Sequence, residues 1–214
     1  EDEAIQELLD SIAAQHADEP GQKGSKNALT EIADELEGAF MLKLDMHFPS
    51  QEPFEIPPLR TDRLLDLPES IELWPGDDLR ETTRGGPYLL NWATSCRTLD
   101  LSRTILAFYT DDRRFESIWN VPDRWASRLL NAGLLGVVAP NFSLWADQPH
   151  ALHIWNTFRS RWVARYLQEA GISIIPDANW AGPDDYDFCF AGIPTHAPCI
   201  SIQVQTFDPK QPDQ

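Results

Sequence analysis

The sequence has few cysteines, few basic residues and no long apolar run, and each shortage argues against a class of protein. Its three cysteines, Cys96, Cys189 and Cys199, contain no C-x-x-C pair, which disfavours a disulfide framework and a zinc ribbon and indicates a reducing, cytoplasmic location. No apolar stretch approaches about 18 residues, the length at which a transmembrane helix is predicted. The chain begins with acidic residues, unlike the basic start of a signal peptide. The composition therefore predicts a soluble globular protein with no membrane partner.

The shortage of basic residues also limits the partners. The chain has 17 basic and 34 acidic residues, which gives a net charge of −17. Because neutralisation of phosphates supplies most of the sequence-independent affinity for nucleic acids, a nucleic-acid partner is not expected for this acidic protein.

Changes in composition divide the chain into four segments. The first is an acidic helical extension with a polar linker, and the second is rich in proline and is expected to wrap the core with short strands. The third alternates apolar runs with helical patterns and forms an α/β core, and the fourth is a tail. The bounds of the four segments are 1–40, 41–98, 99–206 and 207–214.

The acidic extension contains two amphipathic patterns, which predict helices over 3–14 and 28–39. Each helix is too short to be stable alone in water. We therefore expect the two helices to pack on the body of the protein, on each other, or on a protein partner or a second copy.

In the core segment, short apolar runs alternate with helices predicted over 122–132 and 148–170, a pattern typical of parallel βαβ units. The fold class is therefore α/β, with βαβ units that form an open sheet or a partial TIM-like barrel behind the N-terminal helical extension. The four predicted strands are Thr104–Thr110, Leu135–Pro140, Ile172–Pro176 and Cys199–Val204.

Polar residues follow the predicted strands, at the edge of the sheet where parallel α/β proteins bind their ligands. They become candidate ligand-binding residues because the carboxyl ends of neighbouring parallel strands lie close together. The strand-end candidates are Asp111, Asp112, Asn141, Ser143, Asp177 and Trp180.

The long predicted helix adds two candidates to this set. At 100° per residue, Asn156 and Arg159 fall inside the apolar arc of the helix, so both are expected to point toward the core. A buried guanidinium requires a partner, which is either a carboxylate or an anionic ligand. Arg161 and Arg165 fall on the opposite face and are expected to be more exposed.

Signals for a metal are weak, and no metal site is assigned. His150 and His153 are three residues apart, but no further ligand lies at a suitable spacing. The acidic cluster Asp184, Asp185 and Asp187 could hold a hard cation. Mg²⁺ is therefore the only cofactor considered.

The core segment contains an ordered series of short motifs: Asp111–Phe115, Trp119, APNFSLWADQP (139–149), IWNTFRSRW (154–162), IIPDANW (174–180) and DYDFCFAGIP (185–194). Together they resemble an uncharacterised family, domain of unknown function 4417, which occurs in phages, plasmids and other mobile elements. The resemblance covers about 104–206 and implies a mobile-element context without any activity. It also implies a further helix and strand beyond the last strand, so we expect a shortened or trimmed form, as the lack of an initiator Met also suggests.

Three functions remain open. The favoured one is an accessory protein of a mobile element whose strand-end pocket binds a small anionic or nucleotide-like ligand or a protein partner. The second is a metal-dependent phosphoester hydrolase, in which Asp111, Asp112 and Asp177 hold the metal and Arg159 stabilises developing charge. The third is an acidic mimic of nucleic acid that binds a basic partner. No usual nucleophile or general-base motif is present, so enzymatic activity is left undecided.

Overall fold

Five short parallel strands form one open sheet in the computed structural model, and their order in the sheet follows their order in the chain. The α/β class predicted from the sequence is confirmed. The strands are β1 (Glu72–Leu73), β2 (Tyr88–Asn91), β3 (Thr104–Ala107), β4 (Gly136–Val138) and β5 (Ile174–Ile175).

The structure describes residues 47–50, 52–67, 72–73, 87–94 and 100–203. The helices predicted over 3–14 and 28–39 and the tail predicted over 207–214 lie outside these residues.

Three helices accompany the sheet. They are α1 (Glu116–Asn120), α2 (Pro122–Ala132) and α3 (His150–Glu169). Helix α2 has the predicted bounds, with proline in its first turn, where the missing N–H costs nothing. Helix α3 is two residues shorter at its start than the predicted 148–170 and one residue shorter at its end.

The fourth predicted strand, Cys199–Val204, is wrong for the residues that the structure describes, because only Ser201 forms a bridge, to Asp177. Ile200 and Ile202 are both exposed. The exposed Ile200 and Ile202 therefore lack a buried face that would hold them in a longer ladder, whereas Cys199 packs on core residues.

The core lies mainly on the helix side of the sheet. All four residues of β3 and all three of β4 are buried, which explains their nearly continuous apolar sequences. On the opposite face, a smaller cluster around Ile105, Val138 and Ile175 is covered by Leu65 and Tyr109. No helix in the described part of the chain is both long and apolar enough to cross a membrane.

Helix α3 is buried on two sides, which corrects the predicted division into apolar and polar faces. Trp155, assigned to the core, is exposed, whereas Arg161 and Gln168, assigned to the polar face, are fully buried. The physical reason is that two irregular segments, 56–64 and 183–193, cover the polar face and supply backbone partners. Gln168, for example, accepts a hydrogen bond from the backbone N–H of Arg60 at 2.7 Å and donates one to its carbonyl at 3.0 Å.

Candidate ligand-binding site

The carboxyl ends of β3, β4 and β5 meet at a buried carboxyl group, Asp177. It follows β5 and Pro176, and its side chain accepts a hydrogen bond from the Tyr109 hydroxyl at 2.9 Å and one from Asn141 Nδ2 at 3.1 Å. Tyr109 follows β3 and also hydrogen-bonds the Ser201 hydroxyl. Parallel strands thus bring together three polar side chains that are 32 to 68 residues apart in sequence.

A small cavity of about 10 Å³ lies beside Asp177, between the strand ends and helix α3. A cavity needs about 10–15 Å³ of such space to hold one water, so this one accepts no more than a single water or one oxygen atom of a ligand. Most of its lining side chains are polar. They include Asn141, Asn156, Thr157, Ser160, Arg161, Asp177, Asn179 and Cys189.

Arg161 is the cation of this cavity, and only 1% of its surface is exposed. Its Nε donates to the carbonyl of Ala191 at 3.0 Å, and its terminal nitrogens donate to the carbonyl of Cys189 at 2.8 Å and to Ser160 Oγ at 3.3 Å. A guanidinium carries five N–H groups, so two remain without an acceptor among the residues that the structure describes. Burial lowers the pKa of Arg161 to about 10, which leaves it charged at neutral pH.

Burial has the opposite effect on the pKa of Asp177, the acid that lines the cavity. Desolvation raises the pKa of Asp177 to about 7, although Tyr109, Arg161 and Asn141 all favour its ionised form. The charged form loses the solvation of water, and two hydrogen bonds do not replace it fully. Asp177 therefore changes protonation state near neutral pH, beside a permanent cation.

The predicted pair Asn156 and Arg159 belongs to a neighbouring network. Arg159 is buried, as predicted, and its guanidinium donates to Glu116 Oε1 at 2.6 Å and to Asn156 Oδ1 at 2.8 Å. It also lies 4.0 Å from the centre of the Phe142 ring. Its carboxylate partner is therefore on α1 and is not one of the strand-end aspartates.

The network continues from Asn156 to two further candidates. Asn156 Nδ2 donates to the carbonyl of Ser143 at 2.6 Å. The hydroxyl and the backbone N–H of Ser143 donate to Asp112, at 2.7 and 3.0 Å. Asp112 thus ties the loop after β3 to the loop after β4. Asn156 is the only one of these three residues that also lines the cavity.

The remaining strand-end candidates lie apart from the cavity. Asp111 is 63% exposed and pairs with Arg113 at 3.3 Å. Trp180 contacts the rings of Tyr186 and Phe190. Among the described residues, no three carboxylate, histidine or cysteine side chains are grouped for a metal, so Asp111, Asp112 and Asp177 do not form the predicted cluster.

The predicted acidic cluster is also divided. Asp185 is buried and hydrogen-bonds His153 Nδ1 at 2.9 Å, whereas Asp184 and Asp187 are exposed. The other ring nitrogen of His153 lies 2.9 Å from the carbonyl of Trp145. The two ring nitrogens of His153 thus contact one residue in the loop after β4 and one in the loop after β5, and the ring connects these loops.

Arg161, Tyr109 and Cys189 line or support the cavity but were not predicted as site residues from the sequence. Arg161 was missed because an amphipathic arc assumes that one helix face meets water. A usable signal was present on that face. Thr157, Ser160 and Ala164 are small residues at helical spacing, which is the pattern that lets another chain segment approach a helix closely.

The chain resembles two phage proteins over most of its length. It is 38% identical over 157 residues to the Gene 1 protein of Mycobacterium phage D29, and the match covers 73% of this chain and 51% of that protein. The Gene 1 protein of Mycobacterium phage L5 is also 38% identical over 157 residues, which cover 72% of this chain and 58% of that protein. The chain therefore spans a little over half the length of these curated relatives. No solved structure matches it.

A family model extends this similarity beyond the sequence motifs. It matches residues 48–206, whereas the motifs begin at about 104. The match therefore includes β1, β2 and the segment 56–64 that covers α3. By this match, the chain belongs to the DUF4417 family, a domain of unknown function.

Proposed function

We propose that the cavity between Arg161 and Asp177 receives one oxygen of a small ligand's oxyanion, a carboxylate or a phosphate, while the rest of the ligand stays outside the cavity. The observation that carries this proposal is the buried guanidinium of Arg161, which has two N–H groups without an acceptor in the described structure. Buried donors without acceptors cost free energy. A single charged oxygen can accept from two such N–H groups at once, in short charge-assisted hydrogen bonds.

Asp177 complements this role through its protonation state. When protonated, it donates a hydrogen bond to a ligand oxygen, and when ionised, it repels the oxyanion. Because burial raises the pKa of Asp177 to about 7, we expect the affinity for an oxyanion to rise as the pH falls from about 8 to about 6.

This proposal keeps the ligand-binding function that the sequence favoured and moves its centre from Arg159 to Arg161. Arg159 already has a carboxylate, Glu116, within hydrogen-bonding distance. A metal-dependent hydrolase would need Asp111 and Asp112 at one ion, yet Asp111 pairs with Arg113 and Asp112 with Ser143. Binding is therefore the function that the described contacts support best.

The direct test is titration of the full chain with sulfate, whose charge is constant over about pH 6 to 8, followed by amide chemical shifts in NMR. We expect saturable binding that moves the signals of residues around Asp177 and Arg161. Arg161→Met should abolish binding, whereas the matched control Arg165→Met, one turn further along α3, should retain it. Arg165 pairs with Glu169 and the carbonyl of Pro58 and does not line the cavity.

Thr157→Val provides a second variant in case Arg161→Met does not fold. It preserves the shape of a lining side chain and removes one hydroxyl, so we expect about tenfold weaker binding. The proposal is wrong if the wild-type protein shows no saturable binding of sulfate, phosphate or acetate. It is also wrong if a folded Arg161→Met variant binds as well as Arg165→Met.

A further inference from the structure

One side of helix α3 carries an apolar stripe, which is covered over part of its length only. Trp162 is 4% exposed, whereas Trp155, about 10 Å nearer the start of the helix, is 44% exposed. One continuous surface therefore has a covered half around Trp162 and an open half around Trp155. The stripe consists of five residues that recur every three or four positions: Ala151, Trp155, Phe158, Trp162 and Tyr166.

The open half consists of Trp155 and Leu152, which lies one turn before it and is also 44% exposed. Trp155 stacks on Phe158, with the ring centres 5.7 Å apart and an angle of 11° between the planes. Adjoining apolar side chains that remain exposed mark a surface that another chain segment or another protein covers.

Phe48 packs on the covered half. Its ring centre lies 5.6 Å from that of Trp162, and the Arg165 guanidinium lies 5.4 Å from the centre of the Phe48 ring. Trp119 of α1 lies beside both halves, with its ring 5.4 Å from the Trp162 ring and 5.4 Å from the Trp155 ring. The described structure starts at residue 47, so the chain reaches the core beside the open half of the stripe.

The residues before Phe48 have the pattern of an extended segment with one apolar side. Every even position from 40 to 48 is apolar, and the odd positions from 43 to 47 are polar. In an extended chain, alternate side chains point to opposite sides. The structure shows which side meets α3, because His47 is exposed and Phe48 packs on Trp162. The apolar residues of this segment are Phe40, Leu42, Leu44 and Met46 on the side of Phe48.

We propose that residues 40–46 continue along the apolar stripe from Phe48 and cover its open half, with Leu42, Leu44 and Met46 facing α3. Because Phe48 holds the end of the segment beside the open half, the segment is present there at a high effective concentration, which a separate molecule lacks. The open half does not line the candidate cavity, so this inference is independent of the proposed function.

The segment is long enough for this surface. An extended chain advances about 3.3 Å per residue, which places Leu44 about 13 Å and Leu42 about 20 Å from Phe48. Along α3, the open half begins about 10 Å from Trp162 and ends about 15 Å from it. Both leucines therefore lie within reach of the open half.

The test is NMR of the full chain, in which the indole N–H signal of Trp155 is assigned by its loss in Trp155→Phe. The double variant Leu42→Ser and Leu44→Ser should shift this signal. It should also raise the equilibrium constant of unfolding in urea at least about tenfold, because it removes two side chains from a buried contact. An unshifted Trp155 signal would overturn the proposal.

The matched control is the double variant Lys43→Ser and Asp45→Ser. It changes the opposite side of the same segment and leaves the net charge unchanged. The Trp155 signal should stay in place, and the equilibrium constant of unfolding should change by less than about twofold. Equal effects of the two double variants would mean that the segment does not present its apolar side to α3, and the proposal would be wrong.

A double-mutant cycle tests the contact itself. Leu44→Ser and Trp155→Ser remove the same contact, so the combined variant should lose less stability than the sum of the two single losses. Leu44→Ser and Trp145→Ser should be additive, because Trp145 is an exposed tryptophan in the loop after β4. Additive effects of Leu44→Ser and Trp155→Ser would contradict the proposal. A dimer in sedimentation that Trp155→Ser converts to a monomer would assign the open half to a second copy, and it would overturn the proposal as well.

Discussion

Arg159 and Arg161 lie two residues apart on α3, and both are buried, yet their surroundings differ. Arg159 meets the carboxylate of Glu116 at 2.6 Å and the amide of Asn156, so it links α3 to α1. Arg161 donates to two carbonyls and a hydroxyl, and it forms no hydrogen bond in the described structure with Asp177, the buried acid that favours its charged form. A buried arginine with a carboxylate partner crosslinks the fold, whereas one without a carboxylate keeps the capacity to bind an anion.

The largest expected effect is on the pH dependence of stability, which tests whether Arg161 is paired with a carboxylate as Arg159 is. If Arg161 were paired with Asp177 as Arg159 is with Glu116, the pKa of Asp177 would be lowered. Burial instead raises it from 3.8 to about 7. The folded protein therefore holds a proton that the unfolded chain has lost, so stability falls as the pH rises from about 4 to about 7 and is then constant with respect to this group.

The difference of about three pH units corresponds to roughly 4 kcal/mol. Asp177→Asn should remove this loss. The free energy of unfolding of the variant, measured in urea at several pH values, should therefore rise relative to that of the wild type between about pH 4 and 7. Asp111→Asn is the control for the loss of a carboxylate, because that side chain is exposed and lies apart from Asp177. Parallel curves for Asp177→Asn and the wild type would show that Asp177 is ionised throughout.

The next effect tests how closely the chain packs against Arg161. Gly192 has a φ of +77°, and a Cβ there would lie 2.5 Å from the carbonyl oxygen of Pro57 and 3.3 Å from Arg161 Cγ and Cδ. Gly192→Ala should therefore cost about 3 kcal/mol, from backbone strain and overpacking together. The measurement is the midpoint of urea unfolding.

Gly133→Ala is a matched control for this substitution. Its φ is +66°, but no atom lies within 4 Å of the added Cβ, so it reports backbone strain alone, about 1 kcal/mol. Equal losses for the two variants would mean that the segment 183–193 moves away from α3 without cost.

A smaller effect is expected on the Arg159 side. Arg159→Leu removes a salt bridge, a contact with Phe142 and the partner of Asn156 Oδ1. We expect a loss of about 2 kcal/mol. Pairing with a fully buried aspartate would raise this loss to about 3–5 kcal/mol, but the Glu116 side chain is 37% exposed and regains water. Binding of sulfate to Arg159→Leu should remain, and its loss would show that the two networks act as one site.

The sequence predicts the elements that a local apolar pattern decides, and it fails where other backbone segments cover a polar helix face in place of solvent. Strands β3 and β4 and helix α2 were predictable because local apolar patterns decide them, and the placement of Arg159 followed from helical phase. The burial of Arg161 depends on segments 56–64 and 183–193, which are irregular and carry no periodicity. Likewise, Tyr109 and Asp177 are 68 residues apart, and only strand pairing brings them together.

The smallest effects concern the two adjacent aspartates after β3, which the hydrolase hypothesis treated as equivalent metal ligands. Asp112 accepts from the hydroxyl and the backbone N–H of Ser143, so Asp112→Asn should cost about 1 kcal/mol. Asp111→Asn should change stability by less than about 0.5 kcal/mol, since Asp111 forms only an exposed pair with Arg113. Because Asp111 faces solvent and Asp112 is bonded to Ser143, millimolar Mg²⁺ should leave the melting temperature of the wild type and both variants unchanged. A rise in melting temperature that Asp112→Asn abolishes would require Asp112 to leave Ser143 for the ion, and it would restore the metal-dependent hydrolase as the better account of this edge of the sheet.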